Sequence, residues 1–70
     1  MKTGGAYVKI LGENPRSMDE VAEMFKFYFN QSYQSTVGVV DDLQKYGLVK
    51  VYYENGETWV KVIRLEVKDA

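Results

Sequence analysis

Hydrophobic and polar residues follow a helical period over the first two thirds of the chain, most clearly over 17–29. The apolar positions there are Met18, Val21, Ala22, Phe25, Tyr28 and Phe29. They recur every three or four residues and form one stripe. Ser17 and Glu20 have the spacing of a capping box, in which hydroxyl and carboxylate each bond to a backbone N–H group. The pattern predicts a helix over 17–29, and Met24 and Phe27 widen its apolar face, which indicates cover on more than one side.

A shorter helix is predicted over 5–12. Its apolar face consists of Ala6, Tyr7, Ile10 and Leu11. Gly12 ends it well, and Pro15 then keeps Asn14 out of the helical region, which makes 12–16 a connector. A strand is the alternative for this segment, because Tyr7 and Val8 favour strands.

The third predicted helix covers 34–46 and follows a polar turn. Val37, Val40 and Leu43 are its inward positions by spacing, and Gly47 ends it. Gly38 weakens the helix by about 1 kcal/mol relative to alanine.

The last third has a period of two and predicts a β-hairpin over 48–67. Asn55-Gly56 is the residue pair typical of a type I′ turn, and a two-residue loop fixes which residues face each other. One face then holds Val49, Val51, Val60 and Val62, and the other holds Lys50, Tyr52, Trp59 and Lys61. The change of phase to Ile63, Leu65 and Val67 predicts a bulge or bend near Val62 and Ile63.

Composition limits the chemistry that this chain can perform. Its 70 residues, 46% of them hydrophobic, suit one small α+β domain over 1–70. It has no Cys and no His, which removes disulfides, thiol chemistry, the usual zinc sites and the commonest general base. The acidic groups Asp41-Asp42 and Asp19-Glu20-Glu23 have no partner ligands in the sequence pattern. We therefore expect a protein that is not an enzyme and uses no metal or cofactor.

The sequence shows no targeting signal, and its net charge does not select a partner. The longest apolar runs are far too short to cross a membrane, and the N-terminus has no secretory signal pattern. A cytoplasmic protein with no membrane contact is expected. The net charge of −1 gives no overall attraction to nucleic acid or anionic lipid.

The predicted order, three helices followed by a hairpin, resembles a winged helix-turn-helix domain. In MarR- and ArsR-type transcriptional regulators, an L-x-x-N-P connector precedes a capped S-x-x-E-[LV]-A segment, and 11–22 is similar to that stretch. Residues 35–49 are similar to their recognition helix, which runs from S-T-V to L-x-x-x-G-L-V and leads into the wing. The resemblance implies a winged-helix regulator that binds double-stranded DNA as a homodimer.

The same resemblance implies a DNA-binding surface on helix 34–46, which would enter the major groove, and on the hairpin, or wing. The residues so assigned are Ser32, Tyr33, Gln34, Ser35, Val37, Gly38, Lys50, Tyr52, Asn55, Gly56, Trp59 and Lys61. Gln34 would read adenine, and Ser32 and Ser35 would donate to phosphates.

Several alternatives stay open at this point. Winged helices also serve as protein-interaction modules, and surface charge over the third helix and wing separates the two functions. Dominance by the acidic residues there would count against DNA. Those residues are Asp41, Asp42, Glu54 and Glu57. Tyr33-Gln34-Ser35 could serve only as the N-cap turn of the third helix and make no contact with DNA. Tyr52 and Trp59 could be a cross-strand pair or a dimer contact. The aromatic residues over 25–29 are predicted to lie in the core, with an oligomer interface as the alternative.

Overall fold

Three helices and a three-stranded antiparallel sheet make up the computed structural model, which describes residues 3–64. The elements are α1 (Thr3–Leu11), β1 (Arg16–Ser17), α2 (Met18–Phe29), α3 (Tyr33–Lys45), β2 (Val49–Glu54) and β3 (Glu57–Val62). The α+β class is confirmed. The three helices lie where the sequence predicts them, with ends that differ by one or two residues, and the strand alternative for the first segment is wrong.

The N-terminal cap of α2 is half of the predicted capping box. Ser17 Oγ accepts a 3.2 Å hydrogen bond from the backbone N–H of Glu20, as predicted. The Glu20 carboxylate does not reciprocate. It accepts a 2.7 Å hydrogen bond from the guanidinium of Arg16, whose Nε also donates to the Leu11 carbonyl at 2.7 Å. Arg16 therefore links the end of α1 to the start of α2.

The sheet has one strand more than the hairpin that the sequence predicts. β1 pairs with β3, which gives the strand order β1-β3-β2. A strand of two residues has no period that a sequence pattern could detect. Within the hairpin the predicted register is confirmed, with Lys50 opposite Lys61 and Tyr52 opposite Trp59.

The hairpin is shorter than predicted. Asn55 and Gly56 have φ angles of 55° and 78°, as a type I′ turn requires. β3 ends at Val62, where the N–H groups of Ile63 and Arg64 both donate to the carbonyl of Leu48. The predicted continuation through Leu65 and Val67 lies outside the described residues.

One apolar core joins the helices to the inner face of the sheet. It consists of Val8, Leu11, Val21, Phe25, Val40, Leu43, Leu48, Val49, Val60 and Val62. Tyr7 extends it, with its ring centroid 4.9 Å from that of Phe25 and 4.8 Å from that of Phe29. The predicted inner face of the hairpin is confirmed, since Val49, Val60 and Val62 are buried and Val51 is half-buried.

In each helix, at least one residue predicted to be buried is exposed. In α1, Val8 is buried beside the predicted Leu11, and Ala6 is exposed. In α3, Thr36 is buried beside the predicted Val40 and Leu43, and its hydroxyl donates to the Ser32 carbonyl, whereas Val37 is exposed. In α2 the exposed fractions of Phe27 and Tyr28 are 81% and 55%, so the prediction of a wholly buried aromatic segment is wrong. Phe27 lies about half a turn from the core residue Phe25, because successive helical residues are rotated by about 100°.

Candidate binding groove beside the third helix

The N-terminal edge of α3 is open to solvent. Ser32 is its N-cap, with an extended backbone and an Oγ that accepts a 3.1 Å hydrogen bond from the Ser35 N–H. Tyr33, Gln34 and Ser35, in the first turn, are exposed. The N-cap turn, predicted as the alternative to a DNA contact for this segment, is therefore present. The Ser32 hydroxyl accepts its capping hydrogen bond.

A groove runs between α3 and the inner face of the hairpin, and we call it the α3–hairpin groove. Its lining residues are Met18, Tyr33, Val37, Val40, Asp41, Gln44, Val51 and Thr58. The α3 members lie on one stripe because they are separated by three or four residues. This part of the groove holds about 270 Å³ and its exposed lining is mainly apolar.

The groove continues past the N-terminus of α2 to the hairpin turn. The second part shares Met18, Tyr33 and Thr58 with the first and is otherwise lined by Ser17, Asp19, Gly56 and Glu57. It holds about 190 Å³ and its exposed lining is mainly polar. Small-molecule sites usually measure about 300–1,000 Å³. Each part alone is smaller than a typical small-molecule site, and the two parts are continuous.

The charged residues that line the groove are all acidic. They are Asp19, Asp41 and Glu57, all exposed, and among residues 3–64 no Lys or Arg lines either part. The exposed charges around the groove, on α3 and at the hairpin turn, are also mainly acidic. Over 32–45 and 53–58 the exposed carboxylates are Asp41, Asp42, Glu54 and Glu57, against the single cation Lys45. Acidic residues therefore outnumber basic ones along α3 and the hairpin turn, whereas the hairpin strands carry the exposed cations Lys50 and Lys61 on their outer face.

The site residues predicted from the sequence lie on two separate surfaces. Tyr33, Val37 and Gly56 line the α3–hairpin groove, and Gln34, Ser35, Gly38 and Asn55 are exposed near it. Ser32 is exposed as the N-cap of α3. The other four, Lys50, Tyr52, Trp59 and Lys61, lie on the outer face of the sheet, because side chains alternate along a strand. The fold therefore does not bring the two sets to one surface.

On the outer face, Lys50 and Lys61 are exposed and Tyr52 and Trp59 are half-buried. The Trp59 indole N–H donates a 3.3 Å hydrogen bond to the Glu54 carbonyl. The aromatic residues are thus a cross-strand pair, one of the arrangements considered for them.

Nine of the lining residues were not among the predicted site residues. They are Ser17, Met18, Asp19, Val40, Asp41, Gln44, Val51, Glu57 and Thr58. Part of this set could have been found, because the stripe Tyr33, Val37, Asp41 and Gln44 has helical spacing. This stripe was not recognised as a surface, because Val37 was predicted to be buried together with Val40 and Leu43. Only the packing of α3 against the hairpin decides which side of this stripe is covered.

Two further features of the described part of the chain bear on function. Among residues 3–64, no three His, Cys, Asp or Glu side chains are grouped so that they could hold a metal ion. None of the helices there has the length and apolarity needed to cross a bilayer. Comparison of the chain with protein-family models, with curated proteins and with solved structures found no match.

Proposed function

We propose that this chain is a winged-helix protein-interaction module that performs no chemistry, with the α3–hairpin groove as its contact surface. The arrangement of elements supports the winged-helix assignment. A short strand between α1 and α2 pairs with the last strand, and the hairpin follows α3 directly. This order is compatible with a recognition helix and a wing built on one core.

The observation that carries the proposal is the charge of the α3–hairpin groove. In a winged helix bound to DNA, α3 lies in the major groove and the wing approaches the adjacent minor groove. A phosphate backbone separates these two grooves, so it would pass between α3 and the hairpin. Asp19, Asp41 and Glu57 line that path, and they repel phosphates. A segment of a partner protein is favoured instead.

The lining also indicates the chemistry of that segment. Val37 and Val51 offer apolar contact in the middle of the groove, with Asp41 on one side and Glu57 near the turn. A partner segment with Lys or Arg beside apolar side chains complements both features, since opposite charges across an interface favour the correct partner.

Selection from a random peptide library displayed on phage tests the proposal. Peptides enriched on the full chain are expected to be basic and partly apolar. One of them is then synthesised with a fluorophore, and its Kd is measured by anisotropy. Asp41→Lys is expected to raise this Kd about tenfold, equivalent to about 1.4 kcal/mol. The matched control is Asp42→Lys, which makes the same charge change outside the groove lining and is expected to have a much smaller effect.

Double-stranded DNA is the second candidate, and the open N-terminal edge of α3 favours it. Gln34 and Ser35 are exposed there, where backbone N–H groups and the helix dipole attract anions. A fluorescent random-sequence duplex is titrated at low salt with the same three proteins. If DNA is the ligand, the unsubstituted chain binds at micromolar concentration, added salt weakens binding, and both lysine variants bind more tightly. That result, or a library that yields no binding peptide, would refute the interaction module.

A further inference from the structure

β2 is an edge strand whose outer backbone groups have no partner within the sheet. The sheet order β1-β3-β2 leaves one side of β2 open. The Ile63 N–H donates to the Leu48 carbonyl, so Leu48 directs its backbone groups toward β3. Because this direction alternates in antiparallel pairs, Val49, Val51 and Tyr53 direct theirs away from β3. Val49 is buried, whereas Val51 is half-buried and Tyr53 is exposed, so the open part of the edge is at Val51 and Tyr53. Among residues 3–64, no backbone hydrogen bond from another element reaches these three residues.

Within one copy of the chain, the charged residues near both ends of β2 face residues of the same sign on β3. Lys50 lies directly opposite Lys61, and Glu54 lies directly opposite Glu57. Like charges that face each other across a sheet are destabilising. One strand therefore presents a cation near one end and an anion at the other, each facing its own sign on β3.

We propose that β2 pairs antiparallel with β2 of a second copy, in the register that is two-fold symmetric about Tyr52. In this register Lys50 of each copy faces Glu54 of the other, which gives both charges an opposite neighbour on the open side. Val51 and Tyr53 of opposite copies face each other and exchange backbone hydrogen bonds, as their outward direction requires. The sheet then continues through both copies.

Two conditions together select this register: which residues direct their backbone groups outward, and which charges face each other. Outward-directed residues must face each other, so the second strand can only be shifted in steps of two residues. A shift of two places Lys50 or Glu54 opposite Tyr52, which leaves the charge without a partner. A shift of four places Lys50 opposite Lys50, or Glu54 opposite Glu54, which is repulsive. Only the register about Tyr52 pairs opposite charges.

The proposal goes beyond the interaction module and does not depend on it, because it concerns the sheet edge and a second copy of this chain. The resemblance to transcriptional regulators also implied a homodimer, and the aromatic residues over 25–29 were considered as an oligomer interface. The charge pattern of β2 instead points to the sheet edge.

Sedimentation velocity of the full chain over a range of concentrations tests the proposal. The unsubstituted chain is expected to form dimers. Lys50→Glu and Glu54→Lys are each expected to raise the dimer Kd about tenfold or more, since each places like charges across the interface twice. The double variant K50E/E54K restores the opposite pairs, so its Kd is expected to return to the original value or below.

The charge variants separate loss of the dimer from loss of the fold. Lys50→Glu faces Lys61, and Glu54→Lys faces Glu57, so each single variant removes a like-charge pair within one copy. Their urea midpoints as monomers are therefore expected to be unchanged or higher. Lys61→Glu is the matched control, since it makes the same charge change on β3, away from the open edge, and is expected to leave the Kd within about threefold of the original.

Tyr53→Pro provides a second, uncharged test. Tyr53 is 74% exposed and its N–H points to the open edge, so proline removes a donor that only the second copy would use. The dimer is expected to be lost. A chain that stays monomeric at all concentrations would overturn the proposal. So would a dimer that tolerates Tyr53→Pro and both single charge variants, because its interface would lie elsewhere.

Discussion

The hydroxyl of Tyr7 accepts a 2.9 Å hydrogen bond from the side-chain amide of Gln31, 24 positions along the chain. Tyr7 belongs to α1 and its ring packs on Phe25 and Phe29, whereas Gln31 belongs to the connector between α2 and α3. The contact therefore fixes the connector against α1 and helps to set where α3 begins. The short polar connector between α2 and α3, residues 30–32, is thus held by a specific tertiary bond.

Removing either partner of this bond is expected to destabilise the fold. Tyr7→Phe and Gln31→Met should each lower the free energy of unfolding by about 0.5–1.5 kcal/mol, the usual contribution of one hydrogen bond. Gln31 also has a buried side-chain oxygen without a partner in the structure, so removing the whole amide relieves an unsatisfied group. Because each single variant removes the same hydrogen bond, the double variant should lose less than the two single losses added together. Urea unfolding of all four proteins measures this coupling, and strict additivity would contradict it.

Two exposed glycines are expected to respond to alanine with opposite signs. Gly56 has a φ of 78° in the hairpin turn, where a side chain is strained, so Gly56→Ala should cost about 1 kcal/mol. Gly38 lies within α3, and a methyl group there would meet nothing within 4 Å. Gly38→Ala should therefore stabilise the protein by about 0.5–1 kcal/mol. Thermal unfolding compares the two variants. A stabilising Gly56→Ala would show that the turn differs from type I′.

Two neighbouring serines distinguish helix capping from a contact with phosphate. Ser32 Oγ accepts the Ser35 N–H as the cap of α3, so Ser32→Ala should cost about 1 kcal/mol of stability. Ser35 is exposed in the first turn, and Ser35→Ala should change stability by less than about 0.5 kcal/mol. Chemical denaturation measures both. If a duplex is bound and Ser35→Ala weakens that binding without changing stability, the hydroxyl donates to the ligand as the resemblance to regulators implies.

Local chemistry made the hairpin and the helix ends predictable. Asn55-Gly56 sets a two-residue turn, and from this turn every facing pair of the hairpin follows by counting. Gly12 and Gly47, which have positive φ angles, mark the ends of α1 and α3 in the same local way. These features depend on a few adjacent residues, so a local pattern is enough to predict them.

Features that depend on packing between distant segments were not predictable. β1 exists only because Arg16 and Ser17 meet β3 some forty positions later, and two residues show no alternation. The candidate groove depends likewise on where α3 packs against the hairpin, which decides that Val37 lines a surface and Thr36 is buried. Hydrophobicity alone would favour the reverse placement, because it ranks valine above threonine.

Phe25 and Phe27 are expected to differ sharply although they are two positions apart on α2. Phe25 is fully buried, so Phe25→Ala should cost about 3–5 kcal/mol, enough to abolish cooperative unfolding of so small a domain. Phe27 is 81% exposed, and Phe27→Ser should leave the free energy of unfolding within about 0.5 kcal/mol of the original. Circular dichroism on heating compares them. If Phe27→Ser destabilises the chain as much as Phe25→Ala, Phe27 must be covered. Loss of the dimer in Phe27→Ser but not in Tyr53→Pro would identify the cover as a second copy.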